Sequence, residues 1–228
     1  MTADTVTLFG HWICPFSVRV EFALAQRGIQ YSLIEVPPRA ARPKDFVVPE
    51  EFIAHSPKLE VPMVKHAGRY LADSIPILEQ LEEWFADNSL LPTDGAARSL
   101  VHARVQWLDK HLYRPMVGVY YGTDEAKIAE ASDQFGTALE TISGWLRETS
   151  WVAGNEPTIA EAIMVGMYTR LDGLCRLGLT ARLPDEVVQH RAQCELLQGW
   201  QRVAWSTEQT DEFVGRFTKF REIQNLQK

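Results

Sequence analysis

The chain has 228 residues, a formal net charge of −7 and a hydrophobic fraction of 46%. This length allows one large or two modest domains, and the acidic balance argues against non-specific nucleic-acid binding. No apolar run approaches the roughly 20 residues that cross a bilayer, and no signal segment precedes the first predicted strand, so we expect no membrane partner and a cytoplasmic location.

The first 28 residues predict a strand, a loop and a helix. Residues 5–9 alternate and are rich in β-branched and aromatic side chains, as in a half-buried strand. A run with helical spacing follows Cys14 and closes at Gly28. Pro15 suits the first turn of this helix, because N–H groups there have no intrahelical partner. The pattern therefore puts Cys14 at a helix N-terminus.

Cys14 is the strongest candidate for a reactive group. The partial positive charge and unpaired N–H groups of a helix N-terminus favour a thiolate over a thiol. Ser17 stands where a dithiol oxidoreductase has its second cysteine, so an external thiol would have to resolve any mixed disulfide on Cys14. The structural alternative is a buried cysteine that acts as a small apolar residue.

Cysteine usage gives two further expectations. The chain has three cysteines, Cys14, Cys175 and Cys194, with no metal-ligand spacing among them. We therefore predict no metal site and no disulfide framework, and a reducing compartment fits best.

The next elements are a strand, a loop and a short helix. Residues 30–36 predict a second strand, parallel to the first because a helix connects the two. Residues 37–49 are irregular and rich in proline, and this loop either shapes a binding site or crosses the surface. Residues 50–55 indicate one or two turns of helix.

A hairpin and a helix complete this half of the chain. Residues 62–72 are predicted to form an antiparallel hairpin, and Asp73-Ser74 to cap a helix with an apolar face. Pro62 at the strand entrance cannot donate to the ladder, and a cis bond there would leave the backbone of Val61 free to pair with an extended ligand. The predicted order is β-α-β-α-β-β-α, a small mixed α/β sheet with helices.

The second half is predicted to be all-helical. Residues 87–97 are a polar link, and helical periods then run through residues 98–121, 125–148, 158–177, 184–200 and 211–223. Thr158, three residues before Glu161, forms a capping box, so both are interpreted as folding residues. The predicted domains are residues 1–86 and 98–228, with the 87–97 linker between them.

Several motifs in register resemble the cytosolic glutathione transferase superfamily: Cys14-Pro15-Phe16-Ser17, Val61-Pro62, Asp73-Ser74 and the capping box. The resemblance covers nearly the whole chain. It implies a thioredoxin-like N-terminal domain, a helical C-terminal domain, a homodimer, and glutathione as co-substrate without a metal. The Cys-Pro-Phe motif is similar to that of the cysteine-type, omega-like classes, whose cysteine forms a disulfide with glutathione.

The resemblance also implies roles for single residues. Cys14 would bond with the glutathione sulfur, and Val61, before a cis Pro62, would pair through its backbone with the cysteinyl part. Asp73 and Ser74 would hold the γ-glutamyl end. Residue chemistry supports this independently, because N–H groups at a helix start suit a carboxylate and an acid suits an ammonium.

Other site residues follow from the same resemblance with weaker support. Lys58 is the candidate for the glycyl carboxylate, and Phe16 is included in the glutathione site. The second substrate would sit between the domains, facing the cysteine. Trp12, Tyr113 and Tyr120 are predicted to line that pocket, although aromatic residues at helical spacing are usually core.

The resulting hypothesis is an enzyme. A glutathione transferase with thioltransferase or reductase activity would use Cys14 to attack a disulfide, a dehydroascorbate-type substrate or an aromatic glutathione conjugate. One alternative is a non-enzymatic, glutathione-binding regulatory protein of the same fold. Another makes Ser17 the activating hydroxyl of a serine-type transferase or isomerase.

Overall fold

The computed structural model describes residues 5–226. The described chain forms two compact units. The first runs to Leu91 and also includes Leu197–Val203, and the second comprises Pro92–Leu196 and the described residues from Ala204 onward. The predicted linker, residues 87–97, is therefore divided between the two units. Among residues 5–226, no helix combines the length and apolar composition needed to cross a membrane.

Four strands of the first unit form one mixed sheet: β1 (Val6–Gly10), β2 (Tyr31–Glu35), β3 (Met63–His66) and β4 (Arg69–Ala72). The order across the sheet is β2-β1-β3-β4. Strands β1 and β2 run parallel and β3 pairs antiparallel with β4, both as predicted. Strand β3 also pairs antiparallel with β1, which the sequence pattern did not predict. Ala67 and Gly68 both have positive φ, 48° and 74°, the combination that a two-residue hairpin turn requires.

Three helices accompany this sheet: α1 (Pro15–Gln26), α2 (Glu50–His55) and α3 (Ser74–Trp84). A short 3₁₀ segment at Arg39–Ala41 interrupts the proline-rich loop. Buried residues from the sheet, the loop and α2 form a cluster around Cys14: Phe9, Val36, Phe52, Val61 and Met63. The α/β order predicted for this half is confirmed.

The second unit is helical and contains no strand within the described residues. Its helices are α4 (Gly95–Leu108), α5 (Arg114–Tyr121), α6 (Glu125–Glu148), α7 (Ile159–Tyr168), α8 (Leu171–Arg176) and α9 (Asp185–Glu195). The chain continues with α10 (Trp200–Val203), which belongs to the first unit, and α11 (Thr207–Leu226) of the second. The bounds predicted for α6 match those observed.

The single helix predicted over residues 98–121 is interrupted. Residues Asp109–Tyr113 form a π-helical turn between α4 and α5. Pro115, in the first turn of α5, has no N–H to donate to the carbonyl four residues earlier, and this disturbs the regular α-helical ladder. The predicted helix over residues 158–177 is likewise divided, into α7 and α8.

Segment 197–203 joins the first unit through a glycine. A Cβ at Gly199 would lie 2.6 Å from the Phe22 carbonyl oxygen, so only glycine allows this approach to α1. The Gly199 N–H donates to Gln26 Oε1 at 2.9 Å, and Arg202 Nε donates to Glu21 Oε1 at 3.1 Å. These contacts attach a segment to α1 that the sequence pattern assigned to the helical half.

The capping box at the start of α7 is confirmed. The Thr158 side chain accepts from the Ala160 N–H, while the Glu161 carboxylate accepts from the Thr158 N–H. Glu161 is fully buried and also accepts from the Val152 N–H at 2.9 Å. These hydrogen bonds join Glu161 to groups that shape the start of α7, which supports a structural role.

Candidate functional site

Cys14 occupies the position that the sequence predicted. It is the N-cap residue of α1, with φ −83° and ψ 116°, and Pro15 follows in the first turn. Its own N–H donates to the His11 carbonyl at 3.0 Å, which closes the loop after β1. The side chain is 4% exposed, and its thiol donates to the Val61 carbonyl oxygen at 3.6 Å. The Cys14 sulfur therefore lies at a helix N-terminus, in a mostly buried position.

The loop that delivers Cys14 is internally bonded. His11 Nδ1 accepts from the Ile13 N–H at 3.2 Å, and the His11 and Trp12 rings lie 5.5 Å apart. Trp12 is half-buried two residues before the cysteine. Its contact with a second substrate stays a prediction.

The Val61-Pro62 bond is cis, as the resemblance implied. Val61 is 6% exposed and leads directly into β3. Its carbonyl is the acceptor for the Cys14 thiol, so the segment expected to pair with the cysteinyl part of glutathione lies next to the sulfur. Pairing with glutathione itself stays a prediction.

Sequence reasoning missed Arg42, which anchors the segment ahead of Val61. Its Nε donates to the Pro37 carbonyl and its Nη2 to the Leu59 carbonyl, each at 3.1 Å. Leu59 has φ +54°, a conformation that needs such support in a non-glycine residue. The loop also contains Arg39 and Lys44, so the sequence does not single out Arg42 among its basic residues.

Asp73 does not cap α3 with its side chain, contrary to our prediction. It is the N-cap residue, but φ is +70° and its carboxylate accepts no hydrogen bond from the helix. The carboxylate lies 3.3 Å from Lys58 Nζ instead, and both side chains are more than half exposed. The two residues predicted for opposite ends of glutathione are thus paired with each other.

Ser74 is buried at the start of α3, and its partner was not predicted. Arg19, on α1, donates from Nη1 to Ser74 Oγ at 3.2 Å and is 0% exposed. The Arg19 guanidinium also lies 4.7 Å from the centre of the Phe16 ring. Phe16 thereby packs beneath this arginine and against the cluster around Cys14. A charged residue on the apolar face of α1 was the signal that could have identified Arg19.

Ser17 faces the protein interior. It is 1% exposed, and a Cβ at Gly10 would lie 3.3 Å from its hydroxyl oxygen. This close approach to β1 favours packing as its role over activation of a bound thiol.

Tyr113 and Tyr120 lie within the core of the helical unit. Tyr113 is 2% exposed, and its hydroxyl donates to the Ile163 carbonyl at 2.7 Å. Tyr120 is 5% exposed and packs 4.6 Å from the Phe217 ring, measured between ring centres. These contacts account for both side chains as core residues, and a contribution to a second-substrate pocket stays a prediction.

No grouping of three histidine, cysteine, aspartate or glutamate side chains suitable for a metal ion occurs among residues 5–226. The three cysteines are all free thiols, of which Cys175 is exposed and Cys194 buried. Burial raises the pKa of the Cys194 thiol well above its usual value, so this second buried cysteine stays protonated at neutral pH.

Comparison with known proteins shows which proteins this arrangement is similar to. Residues 13–84 match the family described as "Glutathione S-transferase, N-terminal domain", and this segment contains Cys14, Val61 and Asp73. A probable glutathione S-transferase from Nicotiana tabacum is 28% identical over 167 residues, which cover 72% of this chain and 70% of that protein. The chain is therefore similar to glutathione S-transferases, over residues 13–84 by the family match and over 72% of its length by this relative.

Solved structures show the same fold over nearly the entire chain. Glutathione transferase Omega 3C from Trametes versicolor has a TM-score of 0.79 at 20% identity, covering 97% of this chain and 93% of its own. A Tau class enzyme from mango, Mangifera indica, also scores 0.79, at 18% identity and with 93% and 98% coverage. A rice enzyme solved in complex with glutathione scores 0.81 at 20% identity, with 95% and 99% coverage.

These neighbours do not separate the classes within the superfamily. The Omega and Tau structures match equally well in TM-score, and at such low identity the likeness establishes the fold alone. The thioredoxin-like N-terminal unit and the helical second unit are therefore confirmed. Assignment of this chain to the cysteine-type, omega-like class stays a prediction that depends on Cys14 and the residues around it.

Proposed function

We propose that this protein is a member of the glutathione S-transferase superfamily and a glutathione-dependent thiol transferase or reductase that works through a mixed disulfide on Cys14. The observation that carries the proposal is the position of Cys14 Sγ, at the start of α1 and 3.6 Å from the Val61 carbonyl oxygen. A helix N-terminus stabilises a thiolate, and a cysteine there is a stronger nucleophile than a hydroxyl group at neutral pH.

Backbone pairing would bring the substrate sulfur to this cysteine. If the cysteinyl part of glutathione pairs with the Val61 backbone, it replaces the contact between the Cys14 thiol and the Val61 carbonyl. The γ-glutamyl carboxylate then meets N–H groups at the start of α3, and the ammonium meets the Asp73 carboxylate. Ser74 follows Asp73 as the first residue of α3, and its hydroxyl would bind the same γ-glutamyl end.

The proposed reaction has two thiol–disulfide exchanges. The Cys14 thiolate attacks the glutathionyl sulfur of a substrate disulfide, a Cys14–glutathione disulfide forms, and the substrate leaves as a thiolate that takes up a proton. The thiolate of a second glutathione then attacks the glutathionyl sulfur on Cys14. Glutathione disulfide leaves, and the Cys14 thiolate is regenerated.

Three substrate types are compatible with this chemistry. A glutathionyl disulfide undergoes both exchanges as written. A glutathione thioether next to an activating carbonyl is attacked at the glutathionyl sulfur, and its organic group leaves as an enolate that takes up a proton. With a dehydroascorbate-type oxidant, the Cys14 thiolate adds to a carbonyl carbon, one glutathione attacks the Cys14 sulfur so that the reduced product leaves and the mixed disulfide forms, and a second glutathione resolves that disulfide. Trp12 is the expected contact for the second substrate. Free thiols at Cys14, Cys175 and Cys194 suit a reducing compartment such as the cytoplasm.

We also infer a homodimer, which light scattering after size-exclusion chromatography would test.

Oxidised glutathione provides the decisive test. After incubation, intact mass and peptide mapping should locate one glutathione on Cys14, and hydroxyethyl disulfide should be turned over. Cys14→Ser should lose both properties. Cys175→Ser removes the exposed thiol and is the matched control that should retain both. Turnover by Cys14→Ser, or vigorous conjugation of a chloronitrobenzene by the unaltered protein, would contradict the proposal.

The burial of Cys14 favours one competing function. A thiol that is 4% exposed and donates to a carbonyl suits a protein that binds glutathione without turnover. Such a protein would show saturable glutathione binding by calorimetry but no reduction of hydroxyethyl disulfide, dehydroascorbate or an aryl-ketone thioether. Turnover of any of the three excludes this alternative.

A further inference from the structure

The backbone ahead of Val61 makes a tight turn in an unusual conformation. The Leu59 N–H donates to the Ser56 carbonyl at 3.1 Å, and Leu59 has φ +54°. Leucine rarely adopts this left-handed conformation, because its Cβ then crowds the following carbonyl oxygen. Val61 lies only two residues further along the chain. A change of conformation at Leu59 would therefore redirect the Val61 backbone.

Ser56 supports this turn from within. Its side chain is buried, and its Oγ donates to the Glu60 carbonyl at 3.1 Å. This hydrogen bond and the one from the Leu59 N–H close the turn over residues 56–60. The Leu59 carbonyl takes part in neither of them, so it depends on a donor from elsewhere in the chain.

Arg42 supplies that donor and joins the turn to the sheet. Its Nη2 donates to the Leu59 carbonyl and its Nε to the Pro37 carbonyl, each at 3.1 Å. Pro37 follows Val36, which is fully buried and whose N–H donates to the carbonyl of Gly10, at the end of β1. The planar guanidinium holds its two donors in a fixed relation, so the position of Leu59 is set by the end of the sheet.

Two further sets of contacts keep the proline-rich loop, residues 37–49, in place. The Arg39 N–H donates to Glu60 Oε2 at 3.2 Å. Phe46 and Val48 pack against the cluster around Cys14. The loop is therefore held against the turn ahead of Val61, and Arg42 is the side chain that binds both.

We propose that Arg42 is a positioning residue for glutathione, acting through the Leu59 carbonyl on the Val61 backbone. Arg42 itself contacts no part of the ligand. This role rests on the proposed function, in which the cysteinyl part of glutathione pairs with Val61. A backbone that is already held in its bound orientation loses less freedom when the ligand binds, and affinity rises accordingly. The chemistry at the Cys14 sulfur does not require Arg42.

Calorimetry in the Cys14→Ser background measures glutathione binding without thiol exchange. Arg42→Gln should raise the Kd for glutathione roughly tenfold, because the charged donor to the Leu59 carbonyl is lost. Arg42→Lys keeps the charge but not the paired N–H edge, and its Kd should fall between the two. Lys44→Gln removes an exposed cation from the same loop and is the matched control, which should bind like its parent.

Steady-state kinetics with Cys14 intact separate positioning from a general loss of structure. With hydroxyethyl disulfide, Arg42→Gln should raise the KM for glutathione by the same factor as the Kd and keep kcat within about twofold. A parallel fall in kcat and in the urea midpoint of unfolding would instead make Arg42 a general folding residue, and the positioning role would be wrong.

Glutathione esterified at its glycyl carboxylate tests for direct contact with Arg42. The substitution Arg42→Gln should weaken binding of the ester and of glutathione by equal factors, because the partner of Arg42 is a protein carbonyl. If the effect disappeared with the ester, Arg42 would be a ligand of the glycyl carboxylate and not a positioning residue.

The remaining outcomes distinguish this role from the proposed function. Equal affinity of Arg42→Gln and Lys44→Gln for glutathione would overturn the role of Arg42 and leave the proposed function intact. Full affinity in Arg42→Lys would show that a charge suffices without the two-carbonyl bridge, which also contradicts the proposal. No glutathione binding by the unaltered protein would overturn the proposed function, and the role of Arg42 with it.

Discussion

The Arg19 guanidinium donates from Nη1 to Oγ of Ser74 across 3.2 Å, joining two residues that lie 55 positions apart. Arg19 follows Cys14 by five residues on α1, and Ser74 begins α3. One buried hydrogen bond therefore fixes the helix that carries the thiol relative to the helix start expected to bind the γ-glutamyl carboxylate.

Ser74→Ala should raise the KM for glutathione roughly tenfold with little change in kcat. The variant removes the hydroxyl that we propose to bind the γ-glutamyl end, and it leaves the Arg19 guanidinium without this buried acceptor. Steady-state kinetics with hydroxyethyl disulfide measure the effect. Ser32→Ala, an exposed serine on β2, is the control. An unchanged KM for Ser74→Ala would remove Ser74 from the glutathione site.

Lys58→Gln should lower the KM for glutathione about twofold, whereas Asp73→Asn should raise it. The Lys58 ammonium occupies the Asp73 carboxylate in the free protein, so its removal leaves that carboxylate to the substrate ammonium. The effect is small because exposed ion pairs are weak. If Lys58→Gln instead raised the KM, Lys58 would be a ligand of the glycyl carboxylate, as the sequence resemblance implied.

Glu161→Ala should lower the free energy of unfolding by about 3 kcal/mol, because it strips acceptors from several buried donors at the start of α7. Thr158→Ser keeps the capping hydroxyl and should cost only about 1 kcal/mol, the value of the one buried methyl group that it loses. Urea unfolding followed by circular dichroism compares the two. A loss below about 1 kcal/mol for Glu161→Ala would show that the α7 cap is dispensable.

Acid sensitivity should depend on Glu186, at the start of α9. Hydrogen bonds from Arg147 and Ser143 on α6 lower the pKa of Glu186 to about 2, from an ordinary value of 4.5. The stabilisation is therefore fully present above pH 4.5 and is lost as the pH falls toward 2.

Glu186→Gln should flatten the fall in the urea midpoint between pH 5 and about 2, and Glu222→Gln, exposed on α11, should not. Identical acid profiles for the two variants would mean that the Arg147 pair does not stabilise the folded state.

Local patterns were sufficient for most of the first unit. Alternation gave β1 and β2, the Ala-Gly turn gave the β3–β4 hairpin, and the start of α1 at Cys14 followed from a proline in the first turn. Each of these depends on residues within a few positions of one another, and such patterns are readable along the chain.

The apolar spacing did not predict where helices of the second half are interrupted. The helical period predicted one helix over residues 98–121, yet the structure inserts a π-helical turn before Pro115. The helix predicted over residues 184–200 ends at Glu195, and Gly199 in the following segment lies against the Phe22 carbonyl oxygen of α1. In the first place Pro115 lacks an N–H donor, and in the second the chain packs against α1. Neither effect is visible in the helical spacing of apolar residues.

The sequence alone determined the succession of strands and helices, the capping box and the placement of Cys14 at a helix start, because periodicity and capping act between neighbours in the chain. Tertiary structure alone decided that Arg19 meets Ser74, that Arg42 supports Leu59, and that Lys58 pairs with Asp73. Hydrogen bonds and ion pairs act over a few ångströms, so partners separated by many residues are defined only once the chain is folded.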